Sequence, residues 1–341
     1  MKVHSSDPHG IEPDALLSDL GEKVLIRRIA GWLPPVRTGS GVQVGLGDDC
    51  AVVNAPDPTV EQLLLKADAV VEGVHFTETA EPERVGWKAA GRVLSDFAAM
   101  GGRPGWLTVT LTLRKETSVD WIERLYRGMR SLAERHPFEI VGGETVCTSG
   151  PTAISIAGVG LVAPARLTLR SGAQPGDCLC VTGGLGGSIL GRHLEFEPRL
   201  REAEILTREF KPTAMIDISD GLARDAIHMG EASGVGMELW GEAIPVSPAA
   251  DELARGSGRP ALEHALFDGE DFELLVALPE GLWQAAGARL KAACGTDLTM
   301  VGRCLGPGAE FALRRGSVCL PLVDAGWDHF RSGRPTGERL G

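Results

Sequence analysis

Aspartates embedded in stretches that otherwise look buried constrain this chain more than any other feature. Asp96 follows Ser95 inside the apolar helical segment Val93-Leu94-Ser95-Asp96-Phe97-Ala98-Ala99-Met100, and Asp68 interrupts the strand-like run from Leu63 to Val71. Asp217 and Asp220 bracket Ile218-Ser219 where a short apolar strand meets a helix, and Asp48 and Asp49 stand in the glycine-rich turn after Val42-Gln43-Val44. A lone carboxylate in apolar surroundings is costly, and several together repel one another unless cations neutralise them. Hard oxygen ligands of this kind suit Mg²⁺ that also grips phosphate. Taken singly, most have a plainer account: Asp48 as a turn residue, Asp68 as an edge-strand charge, Asp220 or Ser219 as a helix cap. Asp96 has none, because a helix interior disfavours aspartate without a partner.

The pattern around these acids is α/β. Helices are predicted over Asp14 to Ala30, Arg84 to Met100 and Val119 to Arg135, and from about Ser188 and Gly221 onward. Trp106 to Leu113 alternates apolar residues with threonine, a half-buried strand pattern. Strands are also predicted over Phe138 to Val141, closed by Gly142-Gly143, over Ile154 to Val162, and over Cys178 to Thr182. Ala214 to Asp217, Glu273 to Ala277 and Thr299 to Arg303 follow. A length of 341 residues exceeds what one core usually organises. Pro164 to Gly176, richer in Gly, Pro and Arg, marks the expected boundary between domains 1–163 and 164–341.

A formal charge of −12 argues against nucleic acid as a partner. The chain has no long uncharged apolar run and no apolar leader at its start, so no membrane role and a cytoplasmic location are expected. Cys178 and Cys180 have no second pair to complete a zinc pattern and read as small apolar strand residues. There is no Walker P-loop, no protein-kinase motif set and no nucleophile elbow. Gly158-Val159-Gly160-Leu161-Val162-Ala163 mimics a dinucleotide fingerprint, but Pro164 follows where a helix would have to begin.

Six segments in order carry a resemblance. They are Gly45-Leu46-Gly47-Asp48-Asp49-Cys50-Ala51, Gly73-Val74-His75-Phe76, Leu94 to Gly101, Arg170 to Asp177, Ile216-Asp217-Ile218-Ser219-Asp220-Gly221-Leu222, and Gly269-Glu270-Asp271-Phe272-Glu273-Leu274. Together they resemble the thiamine-monophosphate kinase family, within the ATP-binding superfamily that includes aminoimidazole ribonucleotide synthetase. The resemblance implies an N-terminal mixed sheet with helices that dimerises, and a C-terminal α/β domain completing the site. It also implies phosphorylation of thiamine monophosphate by ATP with Mg²⁺, in a homodimer. Asp49, Asp68, Asp96, Glu144, Asp217 and Asp220 would hold Mg²⁺, with Asp49 and Asp220 decisive for turnover. Gly143, Glu144, Arg170 and Ser219 would face ATP; His75, Glu270 and Trp327 would face thiamine monophosphate. An amide-forming synthetase of the same superfamily and a non-catalytic nucleotide-binding homologue are the alternatives.

The sequence departs from the family at three places. Lys66-Ala67 stands where the family usually has Ser-Thr before Asp68, so two oxygen ligands are missing and an ammonium is expected in the space of one Mg²⁺. Glu144 replaces the family's aspartate in Gly142-Gly143-Glu144. Asp268 replaces a common glycine, and Phe272 a common tyrosine.

Overall fold

The structure, a computed structural model, describes Val24 and residues 41–327 apart from 46, 47 and 58. The helix expected over Asp14 to Ala30 therefore lies outside the described residues, Val24 aside. Two mixed sheets organise the chain. The first has the order β1 (Val42–Val44), β2 (Ala51–Asn54), β3 (Gln62–Val71), β6 (Ala153–Val162), β4 (Arg103–Leu113), β5 (Glu139–Cys147). All its pairings are antiparallel except β4 with β5.

Helices α1 (Pro82–Ala99) and α2 (Val119–Arg135) cover one face of this sheet. Strand alternation sends Leu64, Val70, Leu107, Val109, Ile154 and Ile156 into a core with Val93, Leu94 and Phe97 of α1. Burying each such side chain is worth about 1.5–3 kcal/mol. The two helices cross closely because each supplies a glycine. A Cβ on Gly86 would lie 2.0 Å from the Leu125 carbonyl oxygen, and one on Gly128 1.8 Å from that of Glu83. The opposite face of the sheet is open, with Leu65 and Trp106 exposed on it.

The second sheet runs β13 (Val318–Pro321), β12 (Ala312–Arg315), β9 (Met237–Trp240), β11 (Leu298–Cys304), β7 (Cys178–Thr182), β10 (Glu273–Leu278), β8 (Ala214–Ile218). It has two cores, one on each side of its buried central strands. One contains α4 (Leu222–Ser233) and α6 (Ala261–Phe267); the other contains α3 (Leu200–Ile205) and α7 (Trp283–Cys294). Helix α5 (Pro248–Ser257) lies against α6. Ala98 and Ala99 of α1 belong to the second of these cores, so α1 is shared by both halves. Among the described residues no helix is long and apolar enough to cross a membrane.

Two expectations are corrected. Gly142-Gly143 does not close β5: the strand continues to Cys147, held by parallel pairing with Thr108 and Val109 of β4. The helix expected from Ser188 is reduced to two short 3₁₀ turns, Ser188–Leu190 and Arg192–Leu194. Gly186, Gly187 and Gly191, all at positive φ, interrupt it.

Candidate functional site

Lys88, Arg92 and Asp96 of helix α1 lie on one line among largely apolar neighbours. The spacing i, i+4, i+8 puts them on one face, and that face meets β3 and the second sheet. Each finds an opposite charge. Asp96 Oδ1 accepts from Lys66 Nζ at 2.7 Å, and Arg92 grips Asp68 with Nε at 2.9 Å and Nη2 at 3.2 Å. Lys88, wholly buried, lies 2.7 Å from Oε1 and 2.9 Å from Oε2 of Glu270.

At the Asp96 end the carboxylates converge. Ligand oxygens of Asp49, Asp96 and Asp217 all lie within 4.8 Å of one another, and all three residues are buried. Asp49 comes from the turn before β2, Asp96 from the last turn of α1, and Asp217 from the end of β8. Ser95 Oγ donates to Asp217 Oδ2 at 2.6 Å, joining the two halves of the chain. Arg170, on the segment between the sheets, donates from Nη2 to Asp49 Oδ1 at 2.6 Å, and its backbone N–H faces Asp48. Burial, then repulsion from Asp49, pushes the Asp217 carboxyl up to about 7. The same two causes push Asp48 up to about 6. Burial also raises Asp96, against the attraction of Lys66. Lys66 itself stays charged: burial lowers its proton affinity, but Asp96, Asp68 and Asp49 raise it further.

These residues fit a divalent cation. Asp49 Oδ2 is buried with no hydrogen-bond partner among the described residues, a loss that a hard cation repairs. A second acidic group, Asp220 with Asp225 and His228, adjoins through the turn after β8. Asp225 accepts from the backbone N–H groups of Ser219 and Asp220, both at 3.1 Å, and so fixes that turn.

The Lys88 end gathers His75 and Glu270, two of the three residues expected to face thiamine monophosphate. Lys88 Nζ also donates to the His75 carbonyl oxygen at 2.7 Å and lies 2.8 Å from His193 Nδ1. His75 Nδ1 accepts from the Val71 N–H, which leaves the neutral ring its proton on Nε2. Glu270 is held at φ 56° and Phe272 at φ 51°, a left-handed conformation costing about 1 kcal/mol or more each for non-glycine residues. Their surroundings enforce it: Glu270 N–H donates to the Ser219 carbonyl and Phe272 N–H to that of Ile218, while Phe272 stacks on Phe196. Between them Asp271, fully buried, accepts from Gly186 N–H and Ser188 Oγ. Burial of Glu270 would raise its carboxyl, yet His193, Lys88 and Arg92 bring it down to about 2. The half-exposed Trp327 donates its N–H to the Asp220 carbonyl, and its own carbonyl accepts from Arg224. Asp328, His329 and Phe330, which continue its motif, lie outside the described residues.

The expected site residues therefore fall into adjoining groups, with two exceptions. Asp49, Asp96 and Asp217 come together; Asp68 neighbours them but is bound to Arg92; Ser219, Asp220, Glu270 and Trp327 share the turn after β8. Gly143 and Glu144 stand apart on the exposed edge strand β5, where Glu144 accepts from the adjacent Thr145 N–H. Lys88, Arg92, His193 and Asp225 were not foreseen. The i, i+4, i+8 charges in an apolar helix could have revealed the first two; nothing local marks the others.

Residues 47–162 match the family described as AIR synthase related protein, N-terminal domain. The chain is 39% identical over 272 residues to the thiamine-monophosphate kinase of Rhodopirellula baltica, spanning 78% of this chain and 84% of that protein. It is 35% identical over 305 residues to the enzyme of that name from Aquifex aeolicus, spanning 84% and 92%. A solved structure described as AaThiL complexed with AMPPCP and TMP superposes with a TM-score of 0.78 at 31% identity, covering 93% of this chain and 100% of that one. A HypE-HypF complex, at 16% identity and a TM-score of 0.71, shares the fold alone. The chain belongs to the thiamine-monophosphate kinase family.

Proposed function

We propose that this chain transfers the γ-phosphoryl group of ATP to the phosphate of thiamine monophosphate, giving thiamine diphosphate and ADP. The observation that carries the proposal is the convergence of Asp49, Asp96 and Asp217 beside Arg170, next to the loop that holds Glu270. The names and bound molecules of the relatives support it: the AaThiL structure is described as a complex with AMPPCP, which stands for ATP, and TMP.

The acceptor is a phosphate oxygen already ionised at neutral pH, since a phosphomonoester's second pKa is about 6. No side chain is needed as a base. One oxygen of thiamine monophosphate forms the new bond to the γ-phosphorus as the bond to the β–γ bridging oxygen breaks, in line, and ADP leaves. Asp49, Asp96 and Asp217, with Asp68 and Asp220 adjoining, would hold Mg²⁺, which would supply neutralisation of the two phosphate anions that must meet. Arg170 and Ser219 orient the nucleotide. His75, Glu270 and Trp327 hold the substrate, where the tryptophan face suits a cationic heteroaromatic ring.

Residues 1–163 and 164–341 serve as the two domains of this site. A second copy of the chain covers the open face of the first sheet, where Leu65, Trp106, Val141 and Val159 line a cavity of about 460 Å³ beside edge strand β5. That homodimer gives Gly143 and Glu144 a partner surface; a monomer in sedimentation equilibrium at micromolar concentration would remove this part of the proposal. The location proposed is the cytoplasm. The deciding experiment incubates purified chain with MgATP and thiamine monophosphate and follows thiamine diphosphate by chromatography. Binding of both ligands without product would refute the proposal.

A further inference from the structure

We infer that the Lys66 ammonium takes the place of one divalent cation, so that the acidic cluster of this chain binds one metal ion fewer than it would with a hydroxyl at position 66. The inference rests on the proposed metal–phosphate site and extends it. Strand alternation in β3 points Lys66 and Asp68 toward α1, while Ala67 lies exposed on the open face. Lys66 Nζ thereby reaches Asp96 Oδ1 at 2.7 Å, in the group where a metal would bind.

The oxygen inventory of the cluster leaves room for a single ion. Asp49 Oδ1 is committed to Arg170, Asp96 Oδ1 to Lys66 and Asp217 Oδ2 to Ser95. The other oxygen of each residue remains, among them the buried, unpartnered Asp49 Oδ2. Charge points the same way. Lys66 lies against Asp96 and Arg170 against Asp48 and Asp49, while Asp68 is paired with Arg92. Without Lys66 one more carboxylate charge is uncompensated and Asp96 regains its second oxygen, so a further ion has both ligands and reason to enter. An ammonium is a compact, fixed point charge able to play this part without a metal's ligand demands.

The test counts Mn²⁺ bound per chain by electron paramagnetic resonance, with AMPPCP at saturation, for the unaltered chain, Lys66→Ser and Lys66→Gln. The glutamine variant keeps the stem and offers a neutral oxygen should the serine variant fold poorly; circular dichroism checks both. The expected result is one additional Mn²⁺ in a folded variant, together with a melting temperature that depends more steeply on Mn²⁺. Equal, non-zero counts in folded variant and unaltered chain overturn the inference while leaving the metal site standing. No bound Mn²⁺ in any of them overturns the site and the inference together. Thiamine diphosphate formation, assayed on the same samples, reports separately on the proposed activity.

Discussion

Replacing Lys88 with methionine removes a buried cation that joins three separate segments, and its cost can be worked from the contacts. The ammonium has three protons; it donates to the His75 carbonyl and the Glu270 carboxylate and lies against His193 Nδ1, all within 2.9 Å. Methionine fills the stem but leaves Glu270 facing His193, with Arg92 Nη1 3.7 Å away as its remaining cation. Breaking a buried pair from one side typically costs about 3–5 kcal/mol. The Glu270 side chain is 25% exposed, so solvent and Arg92 screen part of that charge, and a loss of about 2–4 kcal/mol is expected. Urea unfolding of Lys88→Met, Glu270→Gln and the double variant measures it. The double variant should recover more than about 1 kcal/mol relative to additivity, since contacting residues couple on that scale. Because Glu270 also loses its position, KM for thiamine monophosphate should rise at least tenfold while that for ATP changes little. A coupling energy within about 0.5 kcal/mol of zero, with KM unaltered, would refute the assignment of Lys88 as the anchor of the substrate loop.

Asp49→Asn and Asp220→Asn should each lower kcat by roughly a thousandfold or more, since charge neutralisation at transferring phosphate is worth several kcal/mol; near-normal turnover in both, measured with saturating MgATP, would contradict the metal clamp. Asp271→Asn should flatten the pH dependence of stability. Burial raises this carboxyl from 3.8 to about 7, so the folded chain binds its proton more tightly and stability falls as pH rises from about 4 to about 7. Asparagine does not titrate, so the loss in unfolding free energy between pH 5 and pH 8 should shrink by up to about 3 kcal/mol, read from urea melts. Gly128→Ala forces a methyl group against the Glu83 carbonyl and should cost about 1–3 kcal/mol, seen as a melting temperature lowered by several degrees with KM values unchanged.

Elements whose partners are already implied by local pattern were legible from the sequence. The alternation in Trp106 to Leu113 placed β4, and the apolar run around Asp96 placed α1, both within two or three residues. Gly142-Gly143 misled because glycine punctuates a chain locally, whereas pairing with β4 decides whether the strand continues. Gly143 fits there because its missing Cβ leaves space at the Val109 carbonyl, 1.9 Å from where that carbon would sit. Asp96 announced itself by having no local partner. Lys88 and Arg92 did not, since lysine and arginine on a helix usually meet water, and here β3 and the Glu270 loop bury their face only once the chain has folded. Asp225 was invisible for a simpler reason: an acid in the first turn of a helix is ordinary, and its bonds to the Ser219 and Asp220 amides exist only once the turn has formed.

The guanidinium of Arg170 rests on the very carboxylate that a metal ion would claim. It holds one oxygen of Asp49 and leaves the other without a partner among the described residues. A divalent ion drawn to that second oxygen would therefore come to rest beside a fixed positive charge of the chain, and a triphosphate lying across both would let the two charges stand side by side.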